Sequence, residues 1–400
     1  MIYTRIEDKK GLTMEAAKAA FMEGLAKLGK RERVLLIPPD ITRIHGLGGM
    51  LAVWATEFYG NAVKQILPAL GTHVPMTPKE IEVMYPGVDP SLFTVHDWRH
   101  DIVTLGTVPK EFIEEVSEGK LSYEWKAQVN KALVHGGFDL ILSLGQVVPH
   151  EVIGMANYNK NVFVGTGGAD GINKSHYLGA VYGMERIMGR TDSPVRAVLD
   201  YAEKHFAQEL PLVYALTVVG RNDHGEMKPM GLFVGDDRSC YEEAAALSLE
   251  VNFTMVPEPL EKVVVYLDPE EFRTTWLGNK SIYRTRMAIA DEGELIVLAP
   301  AVAGFGEDEE IDRLIRKYGY KGTPKVLSDV EKHKDLKDNL SAAAHLIHGS
   351  SEGRFTIRYC PGKLTKEEIE QVGYEWGDLQ QMLQRYPIES LKDGWNTDAQ

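Results

Sequence analysis

Cysteine is nearly absent. The 400 residues hold two, Cys240 and Cys360, far apart and in no metal-binding spacing. That excludes a disulfide scaffold and a cysteine zinc site, and leaves reduced, partly buried thiols as the expectation. Positive charge is also in deficit: 44 Lys and Arg stand against 58 Asp and Glu, a formal net charge of -14. Nucleic acid needs a basic surface, so it is not an expected partner, although a local basic pocket for a small anion stays open. No apolar run reaches the roughly 18 residues of a membrane span. The opening "MIYTRIEDKKG" alternates charges and lacks the apolar core of a signal peptide. A cytoplasmic chain is therefore expected. Missing too are HExxH, the Walker lysine loop, GxGxxG, internal repeats and low-complexity tracts.

What is present is a repeated alternation of helix and buried strand. "TMEAAKAAFMEGLAKLGK" has helical spacing and feeds "RVLLIPPD", a continuous apolar run that ends in a turn. "AVKQILPALGTH" and "DIVTLG" read as strands, "KALVHGGFDLILSLG" as helix then strand, and "NVFVGTGG" as a strand into a Gly-rich turn. Buried strands alternating with helices indicate an α/β fold with parallel or mixed sheets. At 400 residues the chain exceeds one ordinary core. The expected division is 1–258, an α/β domain carrying the site; 259–370, a second α/β domain after a linker at 256–262; and 371–400, a helix with Trp376, Leu379 and Leu383 that returns to the first domain. The active site is expected in the cleft between the two domains.

Ligands of such sheets bind beyond the carboxyl ends of the strands, which points to Asp40, Arg43, His73 and His150. In "PPDITRIHG" Arg43 could hold a carboxylate, with Asp40 orienting it or bonding a substrate hydroxyl; a local ion pair capping the turn is the alternative. His73 precedes a helix start in which Thr77 and Glu80 form a capping box and Pro78 takes the first helical position; a solvated loop histidine is the alternative there. His176 follows the glycine cluster "GTGGADG", which is by itself a weak phosphate signal. The pairs His96/His100 and His345/His348 lack further ligands nearby and are not expected to bind metal.

Together these residues resemble the nickel-pincer lactate racemase family, over most of the chain. "DITR" matches its strand-end Asp-x-Thr-Arg turn, "THVPMT" its first histidine loop, and "PHEVIG" the segment of its second histidine. Lys160 stands ten residues beyond His150, the offset of the family's cofactor-bearing lysine, and His176 stands sixteen further on, the offset of its nickel-ligating histidine. The resemblance implies a nickel-pincer nucleotide, a derivative of nicotinic acid mononucleotide tethered through a thioamide to Lys160. His176 would ligate the nickel, whose sulfur, carbon and nitrogen donors favour a square-planar site. Gly165, Gly167 and Gly168 would let the backbone approach the cofactor closely.

The implied activity is racemisation or epimerisation at C2 of a 2-hydroxy acid. A carboxylate accepts more negative charge poorly, so the family takes a hydride rather than a proton, through a transient 2-keto acid re-reduced on its other face. His73 and His150 would serve as bases for the hydroxyl proton of either enantiomer. Arg43 would clamp the carboxylate, with Asp40, Tyr283, Arg284 and Trp376 also at the substrate. Two departures bear on the substrate: "GMANYNK" replaces the family's glycine-rich "GFSGGRK", and "YRTRM" puts Arg284 and Met287 where the family has Gln and Lys. Substrate choice is therefore expected at Asn157 and Tyr158, for lactate or a larger sugar acid. The expected partners are that acid and the enzymes that mature the cofactor. A redox enzyme releasing the keto acid, or a non-catalytic binder of a nucleotide or sugar acid, are the alternative readings.

Overall fold

Three neighbouring parallel strands form one end of the first sheet. In the computed structural model, which describes residues 1–397, Val34–Ile37 pairs in parallel with Val63–Ile66 on one side and Leu140–Gln146 on the other. Leu212–Arg221 continues in parallel, and Met227–Gly235 and Ile2–Glu7 add antiparallel strands to make a mixed six-stranded sheet. Val34, Leu35, Leu36 and Ile37 are all fully buried. An interior strand covered on both faces has no polar side, which is why this run does not alternate.

The helix Met14–Leu28 covers this sheet. Thr13 caps it by accepting from the Ala16 N–H, and Gly29, at φ 78°, ends it. Phe21, Leu25 and Leu28 repeat at helical spacing and join the core formed by Val34, Leu36, Leu142 and Val234. Burying Phe21 or Leu25 contributes about 2–3 kcal/mol each.

Two strand expectations are corrected. Ile102–Val108 is a strand, but it pairs antiparallel with Trp125–Asn130 in a separate two-stranded sheet. "NVFVGTGG" is not a strand: Asn161–Gly165 is a π-helical turn that leads into the helix Ala169–Tyr182. Val162, Phe163 and Val164 are buried together, and a short apolar run of that kind looks alike in a strand and in a buried helical turn.

The chain divides into two compact units. The first comprises residues 1–182 and 186–254, and the second comprises 183–185 with 255 onward. The boundary thus falls at 254/255 instead of 258/259, and Leu260–Tyr266 is already a strand where a linker was expected. The short piece Gly183–Glu185 belongs to the second unit because the Glu185 carboxylate accepts two hydrogen bonds, at 2.8 and 3.1 Å, from buried Arg286.

The second unit is also α/β, with parallel strands in the order Leu260–Tyr266, Ile289–Ala299, Thr356–Pro361 and Glu375–Trp376. Trp376 lies in the last strand, not in a helix. The helix Leu379–Arg385 packs Leu379, Met382 and Leu383 against Ile296, Leu298 and Cys360 of its own sheet. It belongs to the second unit, where a two-residue connection keeps it beside the strand it follows. Asp398–Gln400, the end of the expected 371–400 segment, lie outside the described residues. Among the described residues no helix is long and apolar enough to cross a membrane.

Candidate active site

The register that pairs Val34 with both Val63 and Leu140 sets three strand ends side by side. The segments leaving them carry Asp40 and Arg43, His73, and His150. Asp40 is 5% exposed and caps the turn Ile41–Arg43, accepting from the Thr42 N–H at 3.2 Å and the Thr42 hydroxyl at 2.5 Å. Its other carboxylate oxygen lies 2.6 Å from His73 Nδ1. Burial disfavours the anion, but the hydrogen bonds from His73 and Thr42 prevail and hold the carboxyl below its usual range. Asp40 therefore orients His73, a partner the sequence reading did not give it. An ionised carboxylate only accepts, so Nδ1 carries the proton and the Nε2 lone pair of neutral His73 is free. Arg43 is exposed, with no ion pair among the described residues.

His150 is oppositely arranged. Its Nδ1 accepts from the Val152 N–H at 3.1 Å, so the neutral ring carries its proton on Nε2. Burial pushes its pKa well below the ordinary histidine value, assisted by the positive charges of Lys160, Arg43 and His176 and opposed by Glu151. The Glu151 carboxylate stands 3.7 Å from that Nδ1.

Lys160 makes no hydrogen bond or ion pair through its amine among the described residues. Burial first, then the charge of Arg43, brings its pKa down to about 8, against the pull of Glu151 and Asp40. His176, on the helix Ala169–Tyr182, donates from Nδ1 to the Ile172 carbonyl at 2.7 Å, one turn back. That bond leaves Nε2 as a lone-pair donor, as in an imidazole whose other nitrogen is fixed by a carbonyl while it ligates a metal. Burial lowers the His176 pKa, and the charges of Lys160 and His73 act in the same direction. Lys160 feels the charges of Arg43 and Asp40, His150 those of Lys160, Arg43 and His176, and His176 those of Lys160 and His73, which links the six residues in one cluster. Among the described residues no three His, Cys, Asp or Glu side chains gather as a metal site.

The glycines have a different reason from the one expected. A β-carbon on Gly165 would lie 2.6 Å from the Ala69 side chain, on Gly167 1.9 Å from the Phe163 carbonyl, and on Gly168 2.3 Å from Gln128. Protein atoms already fill each position. Buried His96 fastens this turn, donating from Nε2 to the Gly167 carbonyl at 2.9 Å while Asn130 donates to its Nδ1. His100 pairs with Asp97, and His345 bonds the Tyr320 hydroxyl, in keeping with structural roles.

Asn157 and Tyr158 are 6% and 4% exposed. Tyr158 is inserted between Tyr214 and Tyr241, at ring distances of 4.3 and 5.2 Å, and the Asn157 side chain bonds the Tyr158 N–H. Their side chains turn into the protein, which corrects the expectation that they choose the substrate. Tyr283, Arg284 and Trp376 belong to the second unit. Tyr283 is 7% exposed, its ring 5.8 Å from that of His348, whereas Arg284 is exposed.

Two residues escaped the sequence reading. Glu151 directly follows His150 and was visible in "PHEVIG". Arg196 is fully buried, and its signal was an arginine on the apolar face of the helix Pro194–Phe206, beside Val195, Val198 and Leu199.

Residues 17–187 match the model of the lactate racemase N-terminal domain, and the six clustered residues all fall within that span. Over that segment the chain is similar to the lactate racemase family. A protein of known structure from Thermotoga maritima is 25% identical over 94% of both chains, with a TM-score of 0.78. The lactate racemase apoprotein from Thermoanaerobacterium thermosaccharolyticum shares the fold, at 17% identity over 90% of this chain and 83% of its own and a TM-score of 0.68. No curated protein matches the sequence.

Proposed function

We propose that the chain inverts C2 of a 2-hydroxy acid by proton-coupled hydride transfer, with the nickel-pincer nucleotide attached at Lys160. The observation that carries this reading is that two imidazoles with different hydrogen-bond partners, His73 and His150, share a cluster with the Lys160 amine, which has no hydrogen bond or ion pair among the described residues. The residues suit the cofactor. An ammonium without a counter-ion is costly where it lies, and conversion to a neutral thioamide removes that cost. His176 presents Nε2 as a donor. When bound, the cofactor supplies a hydride acceptor that can return the hydride.

The remaining work falls to the side chains. Arg43, free of carboxylate partners, clamps the substrate carboxylate and sets the C2 hydroxyl between the histidines. His73, oriented by Asp40, takes the hydroxyl proton on Nε2. His150 meets the substrate oxygen with its Nε2–H. To act as the base for the other enantiomer it gives up the Val152 hydrogen bond and carries its proton on Nδ1, facing Glu151.

The test is to produce the protein together with the cofactor-synthesis enzymes and weigh the peptide containing Lys160. A panel of lactate and larger 2-hydroxy acids is then followed by chiral chromatography. An adduct on Lys160 with interconversion of C2 isomers is expected. An unmodified Lys160 with no interconversion overturns the reading, and keto acid accumulating against an electron acceptor would replace it with a redox activity.

A further inference from the structure

The loop entering Lys160 is held in a backbone conformation that its residues resist. Asn157 and Tyr158 are consecutive, with φ of 66° and 59°. Both lie in the left-handed region, which a residue such as Tyr158 avoids by on the order of tenfold and asparagine by less. Three oxygens of this loop are bonded by one side chain. Arg196 donates to the Met155 carbonyl at 2.8 Å, to the Asn157 carbonyl at 3.2 Å, and to the Asn159 side-chain oxygen.

The fastener is itself rigid. Arg196 is 0% exposed and has no ion pair among the described residues, so a buried guanidinium is committed to neutral loop oxygens. Its carbon centre lies 4.3 Å from the Tyr241 ring and 5.6 Å from that of Tyr158. Asn159 is tied on its other side, donating to Asp200 at 2.7 Å and to Glu203 at 2.9 Å. Ser193 caps the arginine's helix and donates to the Ile153 carbonyl, so the same helix grips the loop a second time.

We propose that Arg196 is the positioning residue for Lys160: its fork holds Asn157 and Tyr158 left-handed, and that backbone path presents the Lys160 amine to the site. This rests on the reading of Lys160 as the attachment lysine. Arg196 touches no reacting atom and acts through the loop.

Arg196→Lys keeps the charge and loses the fork. In protein made with the cofactor-synthesis enzymes, the share of Lys160 peptide carrying the adduct should fall on the order of tenfold. In unloaded protein, acetylation of Lys160 by acetic anhydride, measured against exposed Lys79, should slow by a similar factor. Asn157→Gly with Tyr158→Gly makes the left-handed path unstrained, so Arg196→Lys should cost less than about twofold in that background.

Equal losses in both backgrounds, tracking the melting temperature, would mark Arg196 as merely structural and overturn the proposal. So would an adduct share and acetylation rate unchanged by Arg196→Lys. If that variant does not fold, Tyr241→Leu removes the ring under the guanidinium and carries the same comparison. Wild-type protein that gains no adduct, yet whose Lys160 acetylation still depends on Arg196, counts against the attachment reading alone.

Discussion

At the scale of single residues the site works by giving two histidines different partners. Asp40 accepts from His73 at 2.6 Å, whereas His150 accepts from a backbone N–H. Asp40→Asn should cut turnover on the order of a hundredfold while changing the substrate KM little, because it misorients the base and leaves Arg43 in place; chiral assay of the loaded enzyme reads both. Asp40 also makes stability depend on acid. Its folded pKa lies below the unfolded one, so its contribution is present above the ordinary carboxylate range and is lost as pH falls through the depressed value. Lys160 has the opposite consequence. Folded protein releases that proton above about 8 and unfolded chain only near 10.5, so between these values stability rises with pH. Lys160→Met should therefore stabilise unloaded protein at pH 7 by roughly 1–3 kcal/mol. Urea denaturation of both forms should show the gain shrinking as pH approaches 10.

Elements decide where those residues meet. The strands Val34–Ile37, Val63–Ile66 and Leu140–Gln146 end together, so residues more than a hundred positions apart share one edge. The π-helical turn Asn161–Gly165 then brings the chain from Lys160 into the helix that carries His176. It depends on close packing: a β-carbon on Gly167 would meet the Phe163 carbonyl at 1.9 Å. Gly167→Ala should destabilise by roughly 2–3 kcal/mol, visible as a lower urea midpoint with an unchanged slope. A variant as stable as the parent would show that the turn can yield.

For the whole molecule, two separate sheets and cores imply two cooperative units. Phe21→Ala removes a fully buried ring from the first core, at a cost of about 3–5 kcal/mol. Calorimetry should show the transition of the first unit moving down while that of the second stays. A single transition shifted as one body would count against independent cores.

Much of this was legible in the sequence. Apolar runs ending in polar turns mark strands and the site edge, because burial on both faces leaves no other pattern. The offsets of His73, His150, Lys160 and His176 singled out these residues through the family resemblance, because a resemblance carries spacing along the chain. Tertiary structure alone decided the partners. That Asp40 serves His73, that Glu151 faces His150, and that Arg196 fastens the loop before Lys160 are contacts between segments distant in sequence or set by local backbone paths. Periodicity also could not tell the turn at 161–165 from a strand, or show which sheet the last helix covers. Local pattern records which side chains avoid water; which groups face one another is set by the packing of the folded chain.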